Sequence, residues 1–334
     1  MRALQFSRYG DPREVLKVVD LPEPPPPADE EATVQLLATP VNPSDLMLVA
    51  GRYGYKPDLP YIPGTEGVGR VLAVGKSERA RAWVSEGDIV MITPGENWIE
   101  RRNLRYDTIV KLSADLAPEQ IAMLKVNPGT AYALLRLVTD LKPGETIIQN
   151  AANSNVGRCI SSFAAAFGFR TVNIVRRKEV VDEVKSYGGH TVVVDHKLGL
   201  DPQTLAAAVR DEIGDTPIRY AFDAVGGTST ERLAACLVEG GTIINYGALA
   251  GRPCQIWPTF LIFKDIKVQG FWVPRLFDQF PIERMMSMYG EILDHIAHHK
   301  MPLDPAARFS FDQLDEALSM AMRQQGGSKV ILSP

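Results

Sequence analysis

The chain has 334 residues, enough for two domains that each bury a core of their own. Hydrophobic residues make up 45% and charged residues 23%, an ordinary balance for a globular protein, and the net charge of -4 argues against nucleic acid as an obligate partner. Cys159, Cys236 and Cys254 are far apart and form no CxxC pair, which speaks against a disulfide framework or a zinc cluster. A transit leader is not visible at Met1, and no window approaches the roughly 18 uninterrupted apolar residues of a membrane span. A cytoplasmic protein without a membrane partner is the expectation.

Up to about residue 115 the pattern is β-rich and heavily punctuated. Pro22-Glu23-Pro24-Pro25-Pro26-Pro27 can form neither a regular helix nor an inner strand and reads as an extended surface loop. Residues 33–41, 67–75 and 88–92 read as short strands bounded by turn residues, the material of a compact barrel-like domain. From Pro118 the texture changes. Residues 120–141 read as helix, interrupted at Asn127-Pro128-Gly129. Strand-like runs follow at 146–149, 171–175, 191–195, 220–223 and 242–246, separated by helical patterns at 156–167, 179–187, 202–213 and 228–237. This alternation predicts an α/β doubly wound parallel sheet, with 266–269 as a sixth strand. The tail reads as a helix over 281–299, another over 312–323 and a last strand over 329–332. The expected domains are 1–120, 121–266 and a return to the first domain over 267–334.

The run Ile147 to Arg158, followed by Asn173 to Lys178, has the layout of a dinucleotide-binding βαβ unit. In its turn, Ala151-Ala152-Asn153-Ser154-Asn155-Val156-Gly157, only the last position is glycine. Gly157 suits close packing of helix on strand, while Ser154 and Asn155 stand where glycines are usual. On the turn alone, a plain βα unit without nucleotide is as good a reading. The second strand tips the balance. A coenzyme without a 2′-phosphate calls for Asp or Glu at its end, whereas Arg176, Arg177 and Lys178 stand there. NADPH is therefore expected rather than NADH.

These segments resemble the zinc-independent medium-chain dehydrogenase/reductase superfamily, and within it the trans-2-enoyl thioester reductases, with quinone oxidoreductases beyond them. The similarity covers nearly the whole chain. It is carried by Asn42-Pro43-Ser44-Asp45, Gly51-Arg52-Tyr53-Gly54, Gly64-Thr65-Glu66-Gly67-Val68, Val126 to Tyr132, Gln149 to Ser154 and Lys264 to Trp272. The resemblance implies a GroES-like β-rich catalytic domain joined to a Rossmann domain. Zinc-dependent relatives carry Gly-His-Glu where Gly64-Thr65-Glu66 stands, and four closely spaced cysteines where residues 78–110 have none. No metal is expected.

The resemblance places Tyr53 at the family's active-site tyrosine, with Tyr55 as a nearby rival. A phenol is protonated at neutral pH and can donate to a developing enolate. By the same carry-over Asn42 is a coenzyme contact, Asn127 and Thr130 belong near the nicotinamide ribose and ring, and Asn153, Ser154, Asn155 and Val156 at the pyrophosphate. Arg176, Arg177 and Lys178 belong at the 2′-phosphate. Tyr246, Gly247, Ala248 and Leu249, together with Phe271, Trp272 and Val273, would line the nicotinamide, and Lys329 would make a terminal coenzyme contact. The implied activity is NADPH-dependent reduction of the C=C bond of an enoyl thioester, the substrate carried by coenzyme A or an acyl carrier protein. An NADPH:quinone or enone oxidoreductase and an NADPH-binding protein without turnover are the rivals, and a homodimer is expected. Arg101, Arg102 and Arg105 are either a solvated run or a phosphate-attracting patch. His295, His298 and His299 read as surface residues.

Overall fold

A computed structural model describes residues 1–112, 116–195, 201–277, 279–323 and 329–334. It divides into two compact units: residues 1–126, 281–293 and 303–334 form one, and residues 127–280 and 294–302 the other.

The first unit opens with a two-stranded antiparallel pair, β1 (Arg2–Gln5) and β2 (Lys17–Asp20), joined through the short helix α1 (Pro12–Val15), whose N-cap Asp11 accepts from the Arg13 N–H. Pro22 to Pro27 carry no regular structure, as proline's missing N–H dictates. The long strand β3 (Glu31–Pro40) then leads to α2 (Pro43–Val49). Next come β4 (Gly67–Val74), α3 (Glu78–Trp83), β5 (Ile89–Ile92), β6 (Arg101–Arg105), β7 (Ile109–Lys111) and α4 (Pro118–Ile121). The strands alternate apolar residues inward around a core that includes Phe6, Val34, Leu36, Ile92, Trp98 and Phe311.

The second unit starts with α5 (Asn127–Arg136) and corrects one expectation. Asn127-Pro128-Gly129 does not interrupt a helix; it is the first turn of one, and the break lies at residues 122–126. Proline is pre-shaped for that position, where no N–H is needed. Then β8 (Thr146–Gln149), α6 (Asn155–Ala166), β9 (Arg170–Val175), α7 (Val181–Ser186) and β10 (Thr191–Val194) form one half of a parallel sheet. The other half holds α8 (Pro202–Ile213), β11 (Ile218–Asp223), α9 (Ser229–Cys236), β12 (Thr242–Asn245), α10 (Pro258–Phe263) and β13 (Lys267–Gly270), followed by α11 (Val273–Phe277). The strand order β10-β9-β8-β11-β12-β13 is all parallel and reverses direction between β8 and β11. That reversal opens a crevice at the carboxyl ends of the strands, where ligands of such sheets bind.

The chain continues with α12 (Ile282–His298), β14 (Pro305–Ser310), α13 (Leu314–Arg323) and β15 (Lys329–Ser333). In the first unit β15 pairs antiparallel with β3 and parallel with β14, completing the order β14-β15-β3-β4-β5-β7, with β6 also on β3. The expected surface placement of the three histidines is corrected for one. His295 is buried: its ring lies 4.4 Å from that of Phe163 and its Nε2 is 2.8 Å from Ser162 Oγ. His298 and His299 are exposed.

Candidate active site

The βαβ turn is built by the strand it leaves and the helix it enters. Gln149 ends β8 fully buried, its amide donating to the Gly157 carbonyl at 2.9 Å and to Asn173 Oδ1 on β9 at 2.7 Å. This seats the first turn of α6 against both strands. Ser154 caps that helix by accepting the Gly157 N–H at 3.1 Å. Apolar Ile160 and Phe163 bury the face beneath, each stabilising the unit by about 1.5–3 kcal/mol. The left-handed residue of the turn is Ala151 (φ 47°).

Gly157 is where the backbone must come close. A Cβ there would lie 2.7 Å from the carbonyl oxygens of Ala151 and Ala152. Glycine there lets the first turn of α6 pack directly on the backbone of the turn before it. Asn155 is buried and its side-chain oxygen accepts from Arg158. Asn153 and Val156 are half-buried at the lip.

The remaining predicted residues of this unit gather at the same end of the sheet. Arg176, Arg177 and Lys178 follow β9 and are exposed. Tyr246 to Leu249 follow β12 and are tied to the end of β11: the Tyr246 N–H donates to the Asp223 carbonyl and the Leu249 N–H to that of Ala224. Gly247 has no room for a side chain, since a Cβ would meet the Ala224 carbonyl at 2.6 Å. Burial, with Asp223 close by, pushes the Tyr246 phenol well above its ordinary range, against the opposing effect of Ser154. Phe271 follows β13 and donates its N–H to the Asn245 carbonyl at 2.8 Å. Trp272 carries Arg275 over its ring, and Val273 opens α11. Asn127 and Thr130 are buried on α5, and the Asn127 amide nitrogen has no protein partner.

Sequence reasoning missed the brace of this crevice. Asp223 is fully buried and accepts from Asn150 Nδ2 (2.6 Å), Thr230 Oγ1 (2.7 Å) and the Val225 and Gly226 N–H groups (2.9 Å). It joins β8, β11 and α9 at the switch point. Its signal was an acid at the end of a buried apolar strand.

In the first unit, Tyr53 lies half-buried in the loop after α2 and meets Tyr55 edge-on, with ring centres 5.6 Å apart. A small pocket there is lined by Ser44, Asp45, Tyr53, Tyr55, Tyr61 and Glu96, among others. Burial raises the phenols of Tyr55 and Tyr61, which are hydrogen-bonded to each other. Tyr53 and its rival therefore share one pocket, and the Gly64-Thr65 backbone forms part of its wall.

Beneath that wall the sequence reading overlooked two carboxyls. Asp45 accepts from the Asn42 N–H and the Thr65 N–H, each at 2.9 Å, and from the Thr65 hydroxyl. Glu66 accepts from Asn42 Nδ2 and from the Val126 N–H, each at 2.8 Å. Burial raises both acids, Glu66 to about 7, against the pull of Lys329 on each. Lys329 thus lies close to the Asn42 cluster within this unit. The Arg101, Arg102 and Arg105 run is engaged locally: Arg101 pairs with Glu23, Arg102 with the Gly95 and Glu96 carbonyls, and Arg105 with Asp107. Among the described residues no group of three His, Cys, Asp or Glu side chains could hold a metal ion. No helix there is long and apolar enough to cross a membrane.

Comparison with known proteins agrees with this division of labour. Residues 28–108 match the alcohol dehydrogenase GroES-like domain, and residues 155–288 the family described as zinc-binding dehydrogenase. The chain is 31% identical over 341 residues to the mitochondrial enoyl-[acyl-carrier-protein] reductase of Homo sapiens, covering 100% of this chain and 88% of that protein. Among solved structures, a mycobacterial protein complexed with NADPH is 25% identical with a TM-score of 0.87, covering 100% of both chains. A Pseudomonas syringae quinone oxidoreductase is 26% identical with a TM-score of 0.84, covering 100% of this chain and 99% of that one. Two matched domains and a full-length relative thus agree with the residues themselves, and the chain belongs to the zinc-independent part of the medium-chain dehydrogenase/reductase superfamily.

Proposed function

We propose that the protein is an NADPH-dependent oxidoreductase that reduces the C=C bond of an α,β-unsaturated thioester carried by coenzyme A or an acyl carrier protein. The observation that carries this reading is full-length similarity to an enoyl reductase in a chain whose β9 ends in three exposed cations. The residues fit the coenzyme: Gly157 lets α6 start tight against its turn, Ser154 and the α6 N-terminus face the pyrophosphate, and Arg176, Arg177 and Lys178 take the 2′-phosphate. Asn127, Thr130, Tyr246 to Leu249 and Phe271 to Val273 hold the nicotinamide end. When bound, NADPH supplies a hydride for the β-carbon of the substrate. Tyr53 donates its hydroxyl to the thioester oxygen as negative charge develops there, or passes its proton to the α-carbon.

Steady-state assays with crotonyl-CoA and hexenoyl-CoA against simple quinones test the reading. Turnover of enoyl thioesters is expected, and turnover of quinones alone would overturn it. The second reading, a quinone oxidoreductase, is favoured by the full-length fold match to the Pseudomonas syringae enzyme. Tyr53→Phe should lower kcat about 100-fold with NADPH affinity nearly unchanged. Unaltered turnover would remove Tyr53 from the chemistry.

The working unit proposed is a homodimer. β13 is exposed at every residue, and α10 beside it buries none of its six. Ile262 is 68% and Phe263 78% exposed, and Trp257, Leu261 and Val268 of the same stretch are exposed large apolar residues too. The Lys267 and Phe271 N–H groups bond toward β12, so those of Val268 and Gly270 point away from it. An identical β13, antiparallel and centred on Gln269, satisfies them in both copies about one two-fold axis.

A further inference from the structure

Asn42 offers an amide with two unlike ends in a place closed to solvent, for the residue is 1% exposed. Its Nδ2 donates to Glu66 Oε1 at 2.8 Å, and its backbone N–H donates to Asp45 Oδ2 at 2.9 Å. Its Oδ1 is buried without a protein donor. A buried acceptor left so is costly unless a ligand supplies the missing proton. The two ends of an amide have nearly the same shape, so only their partners decide which one faces the ligand. Glu66 makes that decision. It is fully buried, with Oε1 taking the Asn42 amide and Oε2 the Val126 N–H at 2.8 Å. While both of its oxygens accept, turning the Asn42 amide over would set oxygen against oxygen. Burial pushes its carboxyl up to about 7, while the Asn42 and Val126 donors and two lysines pull the other way, toward the carboxylate. Lys329 and Lys125 lie near it, Lys125 donating to the Thr65 carbonyl at 2.7 Å and accepting at its own carbonyl from the Tyr289 hydroxyl. Asp45 is engaged by Thr65 instead.

We propose that Glu66 is a positioning residue: by clamping Nδ2 of Asn42 it keeps Oδ1 as the acceptor for a hydrogen-bond donor on the bound coenzyme. This rests on the coenzyme reading above and on Asn42 as one of its contacts. Glu66 itself touches no reacting atom.

The test exchanges the polarity of the pair. Glu66→Gln keeps the size but must turn an N–H toward Asn42 or Val126; toward Asn42, it forces the amide over and presents NH2 where Oδ1 stood. NADPH fluorescence titration and crotonyl-CoA kinetics should then show Kd and KM for NADPH raised about tenfold or more. Combining it with Asn42→Asp restores every hydrogen bond: the introduced glutamine amide donates to one oxygen of the introduced aspartate and accepts from Val126, and the second aspartate oxygen replaces Oδ1. Kd in that double variant should return to within about threefold of the parent. A merely structural role predicts altered melting temperature without this recovery. Glu66→Gln within twofold of the parent, or a folded double variant binding no tighter than Glu66→Gln, overturns the proposal. Should Glu66→Gln fail to fold, the double variant decides: parent-like Kd supports the proposal, and weakened binding or failure to fold overturns it. A parent protein that does not bind NADPH instead overturns the coenzyme reading.

Discussion

Single residues here owe their properties to burial more than to their neighbours in the chain. His295 stands in a helix rich in polar residues, yet packing on Phe163 and desolvation, with His299 alongside, push its imidazole down to about 4. A folded pKa below the ordinary 6.5 favours the neutral ring. His295 therefore contributes stability that is fully present above about pH 6.5 and is lost as pH falls toward 4. Urea unfolding at pH 7 and pH 5 should show a larger loss for the parent than for His295→Gln; equal losses would clear His295 of the effect. Arg176 is a different case, exposed and placed by the strand end alone. Arg176→Ala should raise KM for NADPH about tenfold while leaving KM for NADH nearly unchanged. If both coenzymes shift alike, the 2′-phosphate assignment fails.

Among elements, the turn between β8 and α6 shows how a helix start becomes a site. Two of its expected glycines are replaced, and the structure explains why that is tolerated: Ser154 serves as cap, and Ala151 takes the left-handed conformation. The third glycine is different, because at Gly157 the helix backbone touches the turn backbone. Gly157→Ala should cost about 1–3 kcal/mol in stability and weaken NADPH binding, read by thermal melting and fluorescence titration. A variant with unchanged melting and binding would show that the turn relaxes freely. The same logic governs α5. Its Asn-Pro-Gly start looked like a break because proline ends helices from inside, whereas at the first turn it begins one.

At the scale of the molecule, the parallel sheet gathers the ends of β8, β9, β11, β12 and β13 on one side, so segments spread from Ala151 to Val273 share a crevice. The far edge of that sheet is left open on both faces at β13. In a doubly wound fold those faces are ordinarily covered. Sedimentation velocity of the purified chain should therefore give a dimer of the 36.7 kDa protomer, and Phe263→Asp should yield monomer with the Rossmann unit still folded. A monomeric parent would assign the patch to another partner, and a dimeric Phe263→Asp would move the interface elsewhere.

By itself the sequence determined the alternation of strands and helices, the Ser154–Gly157 cradle and the basic end of β9. Those features are written in local spacing: period, caps, and charge a fixed distance past a turn. It also marked Tyr53, by likeness rather than by spacing. Only the tertiary structure decided that His295 is inside, that Arg101 and Arg105 are spent on neighbouring acids, and that Asp223 braces the switch point. Glu66 is the plainest instance. In the sequence it was one letter of Gly64-Thr65-Glu66, noticed for the histidine missing beside it. Its contacts with Asn42 and Val126 lie 24 and 60 residues away. Side-chain polarity is local information, but which buried group must answer it depends on distant strands brought together by packing.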